Sequence, residues 1–130
     1  MDIRLAIDIA KQLAAQDIPY KHGGNDPSEG GLDCSGFIRF IFRIIGLIPY
    51  HIDLKAIGFY RRYSDKIVDK PYAGCLVFYG DSLHDITHVM LAIDPINCVG
   101  AASKYMTAPY VQYARIDYRT DIVAIVDPFK

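Results

Sequence analysis

Two side chains in this sequence can do covalent chemistry if the fold brings them together, the thiol of Cys34 and the imidazole of His88. Cys34 stands in the run Leu32-Asp33-Cys34-Ser35-Gly36-Phe37, directly after a turn-rich stretch from His22 to Gly31. A cysteine in the first turn of a helix meets unpaired backbone N–H groups and the positive end of the helix dipole. Both favour the thiolate, the nucleophilic form of the side chain. His88 is followed by the β-prone run Val89-Met90-Leu91-Ala92-Ile93. An imidazole opening a strand is held rigidly near the sheet's edge, and its ordinary pKa suits a general base near neutral pH. Each residue also has a plainer explanation, since free cysteines commonly fill cores and histidines commonly sit in satisfied surface or core positions. Cys75 and Cys98 fall inside predicted strands, where core packing is the expected role.

The elements that must position this pair follow from hydrophobic spacing. Asp2 caps a first helix running to about Gln16, with Ile3, Ile7, Ala10 and Ala14 in a single apolar stripe. Pro19 to Asp33 reads as loop, too rich in turn formers to hold a helix. A second helix runs from Cys34 to about Ile45, and Gly46 and Pro49 stop it. Cys34, Phe37, Ile38, Ile41 and Ile45 share its buried face, so the thiol can meet a residue carried by a strand. Asp53 is expected to cap a shorter helix through Arg62. After Pro71 come short β-prone runs, Leu76 to Tyr79, His88 to Ile93, Cys98 to Ala101, Val111 to Ile116 and Ile122 to Val126. Helices first and strands after, without alternation, predict an α+β fold with an antiparallel sheet packed on the helices, in one domain over residues 1–130.

Composition narrows the function classes. At 52% hydrophobic and 22% charged, the chain can build a core and is too apolar for a disordered tail. A net charge of −1 gives no electrostatic grip on nucleic acid or an anionic membrane. Arg61, Arg62, Lys66 and Lys70 read as a solvated face. Three cysteines without a C-x-x-C pair argue against both a disulfide framework and a four-cysteine zinc site. No apolar run reaches the ~20 residues of a membrane helix. Arg4, Asp8 and Lys11 interrupt the apolar segment a signal peptide needs, so synthesis in the cytosol is expected. Work outside the cell then requires a carrier other than a signal of its own.

The residues resemble a known family. Pro19-Tyr20, Gly23-Gly24 and Gly30-Gly31-Leu32-Asp33-Cys34-Ser35-Gly36-Phe37 look like the signature of the NlpC/P60 peptidases. Ala73-Gly74-Cys75-Leu76-Val77-Phe78-Tyr79 followed by Thr87-His88-Val89 resembles the strand pair that leads to the family's histidine. The resemblance covers about residues 5 to 104. It implies a papain-like fold and cysteine peptidase activity on bacterial cell-wall stem peptides, typically at the bond between D-γ-glutamate and diaminopimelate or lysine. By position, Cys34 is the nucleophile and His88 the base, while Tyr20, Asp33 and Ser35 line the cleft and hold the substrate peptide. No metal or cofactor is implied. The family's third polar residue, about twelve after the base, orients the imidazole; here Gly100 takes that place, and Asn97 is the nearest polar candidate. A backbone carbonyl, a water or a polar side chain from outside residues 97–103 is expected within ~3 Å of the outward nitrogen of His88, with Asn97 as the fallback.

Two rival readings follow from the same residues. His84-Asp85-Ile86-Thr87-His88 resembles the H-E-x-x-H zinc motif, which needs both histidines on one helix face. The absent third residue also suits a domain that binds cell-wall peptide or a partner without turnover. Tyrosines between Tyr105 and Tyr113 suit either a glycan groove or packing over a sheet rim, the second being the ordinary use.

Overall fold

The computed structural model describes residues 2–102, 106 and 109–130. Three helices come first, α1 (Ile3–Ala14), α2 (Cys34–Ile44) and α3 (Ala56–Arg62). Between α1 and α2, β1 (Asn25–Asp26) and β2 (Gly31–Leu32) pair as a small antiparallel ribbon within the expected loop. The main sheet contains β3 (Leu76–Ser82), β4 (Asp85–Ala92), β5 (Asn97–Ala102), β6 (Tyr110–Arg115) and β7 (Ile122–Val126), in the order β6-β5-β4-β3-β7 with antiparallel neighbours. A 3-10 turn, Ile116–Tyr118, follows β6. This is the α+β arrangement the element order predicts.

Local chemistry explains the helix ends. Asp2 caps α1 by accepting the Arg4 N–H at 2.9 Å, and Gly46 takes the left-handed conformation, φ 77°, just past α2. Asp53 does not cap α3. The helix starts at Ala56 after Lys55, which makes no side-chain cap, and Asp53 instead pairs with the buried guanidinium of Arg39 at 3.2 Å. Arg39 also donates through Nε to the Ile52 carbonyl at 2.6 Å, so one guanidinium holds this whole segment before the helix.

The sheet is buried on both faces. On one side α2 lays Phe37, Ile38, Ile41 and Phe42, all fully buried, against Phe78, Ile86, Val89, Leu91 and Val99. Burying each such side chain stabilises the fold by ~1.5–3 kcal/mol. On the other side a smaller cluster joins Cys75, Val77, Tyr79, Met90, Ala92, Cys98 and Ile116, so Cys75 and Cys98 are core residues as expected. No described helix is long and apolar enough to cross a membrane.

β4 departs from the sequence expectation at a useful place. It begins at Asp85, so His88 lies inside the strand rather than at its start. The pairing with β3 slips there: Tyr79 opposes His88, but Gly80 opposes Ile86, leaving Thr87 as an extra residue. Such a bulge bends the strand and re-aims neighbouring side chains. Ile86 and Val89 both reach the helix-side core, while His88 comes to rest beside its cross-strand partner Tyr79.

Candidate active site

Asp33 assembles the helix half of the site. Its Oδ1 accepts the Gly36 N–H at 2.6 Å and caps α2, while Oδ2 accepts the Gly23 N–H at 3.0 Å. The Ser35 hydroxyl donates to Oδ1 at 3.3 Å. One buried carboxylate thereby ties the glycine loop to the first turn of the helix and fixes Cys34 between them. Gly36 is required for this contact, because a Cβ there would lie 1.8 Å from the Gly24 carbonyl oxygen. Both Asp33 oxygens and the Ser35 hydroxyl therefore have intramolecular partners. Tyr20 is half-buried alongside. Burial first, then the charges of Cys34 and Asp33, push its phenol up to about 12, and its backbone bridges Leu32, the residue before Asp33.

The sulfur of Cys34 rests on the bulged segment of β4. It lies 4.0 Å from the Thr87 carbonyl oxygen, its long hydrogen-bond acceptor, and the Val89 N–H acts on it from the other side. Thr87 and Val89 flank His88, so the sulfur rests against the backbone on either side of the histidine. The thiol's hydrogen bond goes to that carbonyl and not to the imidazole. Cys34 is only 8% exposed, and burial pushes its thiol up to about 11. The Asp33 charge adds to the rise, while backbone N–H groups of Val89, Ser35 and Cys34 itself oppose it. The helix-end N–H groups pull the way the sequence predicts, and burial outweighs them.

His88 is equally buried. Burial, and next the Arg119 charge, lower its pKa to about 3, against an upward pull from Asp121. Its Nε2 lies 2.8 Å from the Tyr118 hydroxyl. The imidazole sits 5.5 Å from the Tyr79 ring and 6.3 Å from the Tyr118 ring. Tyr118 belongs to the 3-10 turn and feels the charge of Cys34, so it completes the cluster. Sequence reasoning missed Tyr118 by number, although a polar side chain from beyond residues 97–103 was expected at that nitrogen.

Asn97 does not take the orienting position. Its amide donates to Asp94 Oδ2 at 3.1 Å and its backbone N–H to Asp94 Oδ1 at 2.7 Å, closing the β4–β5 turn. That turn is at the opposite end of β4 from His88, about 17 Å along the strand. The zinc reading loses its geometry as well. His84 is exposed in the β3–β4 turn and His88 is in a strand, so no helix presents the two together. Tyr110 and Tyr113 are exposed on β6, an edge strand, while Ser103 and Tyr105 lie outside the described residues.

Comparison with known proteins places the chain in a family and identifies its fold. The sequence model of the NlpC/P60 family matches residues 17–120. A solved NlpC/P60 family protein from Bacillus cereus superposes with a TM-score of 0.81 at 20% identity, covering 100% of this chain and 41% of that one. The P60 domain of an antigen from M. avium subspecies paratuberculosis gives 0.80 at 18%, covering 98% and 95%. RipB from Mycobacterium tuberculosis, described as a peptidoglycan hydrolase, gives 0.74 at 21%, covering 98% and 67%. The chain thus spans under half the length of the Bacillus protein. No curated protein sequence matches it.

Proposed function

This chain belongs to the NlpC/P60 family, and from that premise we propose that it is a cysteine hydrolase of bacterial cell-wall peptides, with Cys34 as nucleophile and His88 as base. The observation that carries the reading is the Cys34 sulfur lying at the head of α2 against the two residues that flank His88. Support for the substrate class comes from neighbours of the same fold described as peptidoglycan hydrolases, RipB and SagA. The bond proposed is the amide between D-γ-glutamate and diaminopimelate. If the protein reaches the wall from the cytosol, a phage or effector route delivers it.

Burial holds the thiol up and the imidazole down, which favours the neutral form of both near pH 7. The reactive ion pair therefore forms by internal transfer of the thiol proton to His88, with no net change of charge in the buried space. The thiolate attacks the γ-carbonyl carbon. As the tetrahedral intermediate collapses, the C–N bond breaks and His88 returns its proton to the leaving amine. Water, deprotonated by His88, then attacks the thioester, the C–S bond breaks, and the carboxylate and the thiol are regenerated. On this reading Tyr20 contacts the peptide, while Asp33 and Ser35, bonded to each other and to Gly23, steady the loop and helix start beside it.

One observation favours a second reading, a domain that binds such peptides without cutting them. Gly100 stands where a third polar residue is expected and has no side chain with which to orient the imidazole. Digestion of purified peptidoglycan and soluble muropeptides, with products identified by mass, decides between the two. New amine and carboxylate ends that vanish in Cys34→Ala support the hydrolase. Retention of intact muropeptide by wild type without any cleavage supports the binding domain.

A further inference from the structure

On the reading of Cys34 and His88 as nucleophile and base, we propose that Tyr118 is the positioning residue that holds the His88 imidazole, replacing a side chain from β5. A base of this kind uses one ring nitrogen for the thiol proton. The other nitrogen needs a partner that fixes the tautomer and the ring angle. Tyr118 Oη meets Nε2 at 2.8 Å. By accepting an Nε2–H it leaves the lone pair on Nδ1, and it keeps the same bond when the imidazolium forms.

β5 cannot supply this partner. A Cβ on Gly100 would lie 2.5 Å from Met90 Sδ, so the Met90 thioether occupies the space a longer side chain at that position needs. Asn97 is committed to Asp94. The substitute arrives instead from the turn after β6, on the same face of the sheet as Tyr79 and Met90, and it is braced. The Tyr79 hydroxyl donates to the Ile116 carbonyl at 2.7 Å and pins the 3-10 turn, while its ring packs edge-on against Tyr118 with centroids 5.6 Å apart. Arg119 is buried, donates through Nε to Asp121 at 2.8 Å, lies over the Tyr79 ring and hydrogen-bonds the Tyr118 phenol. A tyrosine with this much support behind it holds a ring at a set angle, whereas a mobile surface tyrosine does not.

The test is Tyr118→Phe, which keeps the ring and removes only the hydroxyl. Wild type and variant are compared by nitrogen NMR of the His88 imidazole and by kcat and KM on a muropeptide. The expected result is a kcat lower by about ten- to hundredfold with KM within about threefold, and an imidazole spectrum that changes from one tautomer to an average of two. A second arm adds Met90→Ala and Gly100→Asn to Tyr118→Phe. Return of the single-tautomer spectrum shows that position 100 can resume the role once the thioether is gone. Imidazole nitrogen shifts that do not change in Tyr118→Phe overturn the proposal, whatever the rate does. Absence of cleavage by wild type overturns the hydrolase reading instead, and the NMR comparison still decides whether Tyr118 holds the ring.

Discussion

The two halves of the site are built by different means. The helix half is local: Tyr20, Gly23, Asp33, Cys34, Ser35 and Gly36 are near neighbours in sequence, and one carboxylate organises them through three hydrogen bonds. The sheet half is assembled from distant parts. His88 on β4 packs on Tyr79 of β3 and bonds Tyr118, thirty positions further on, in a turn beyond β6. A local half depends on a single cap and fails as a unit when that cap is removed. A distributed half rests on several rings and a buried ion pair, so it should lose function by degrees.

The largest expected effect is in the helix half. Cys34→Ala abolishes muropeptide hydrolysis, since the proposed thioester cannot form. It changes the unfolding free energy by only about 1 kcal/mol, because the sulfur contributes little core volume. Mass analysis of the digest and a urea melt measure the two quantities separately. Cleavage at the wild-type rate would show that the nucleophile lies elsewhere.

Asp33→Ala comes next and tests whether this half fails as a unit. It removes the α2 cap and leaves the Gly23 N–H without its acceptor, for a loss of about 2–3 kcal/mol. Activity should fall with it, because Cys34 is no longer fixed between loop and helix. Asp33→Asn, which keeps an acceptor for the cap, should recover part of both. A variant as stable as wild type in a urea melt would refute the shared anchor.

This contrast also explains how much the sequence revealed. The helix half was legible because its determinants are adjacent: an Asp-Cys-Ser-Gly run after a glycine-rich loop carries its own cap, close approach and helix start. The apolar stripe of α2 and the order of elements likewise made the α+β fold readable. His88 was found by type and by its β-prone neighbours, but its bulge was not, since an unpaired Thr87 depends on the register with β3. Tyr118 carried no local signal at all. Its role exists because Met90 fills the space over Gly100, a contact between residues on different strands. For the thiol, the apolar stripe of α2 shows that Cys34 faces the core and the helix start shows the N–H groups, but which of the two prevails depends on the packing around the sulfur.

Stability against pH probes the sheet half. The folded pKa of His88, about 3, lies below the 6.5 of an unperturbed histidine. In the window between these values the unfolded chain binds a proton that the folded chain does not. Stability from this group is therefore intact above pH 6.5 and is lost as pH falls toward 3, at up to about 1.4 kcal/mol per pH unit. Cys34 acts in the opposite direction at the alkaline end. Its raised pKa means the unfolded thiol ionises first, so stability declines as pH rises from about 9 toward 11. Urea melts of wild type and His88→Gln between pH 7 and 4.5 should show the acid decline shallower in the variant. Parallel declines would mean that the imidazole is not held neutral.

The smallest expected effect belongs to Asn97, and it sharpens the contrast because Asn97 lies on the same sheet yet outside the site. Its side chain and backbone both bond Asp94, and the Ile96 N–H joins them on Asp94 Oδ1 at 2.7 Å, so these residues form a self-contained turn. Removing the amide in Asn97→Ala deletes one partly exposed hydrogen bond while Asp94 keeps its two backbone donors. The expected cost is about 0.5–1 kcal/mol in a urea melt, with kcat within about twofold of wild type because His88 is held from the other end of β4. A turn at this distance can affect the imidazole only by shifting the register of β4 against β5, and the Leu91–Val99 pairing stands between them. A loss of more than about a hundredfold in kcat at unchanged stability would make Asn97 the orienting residue after all. It would also require a conformation in which the amide leaves Asp94 and β4 is paired differently from the one described.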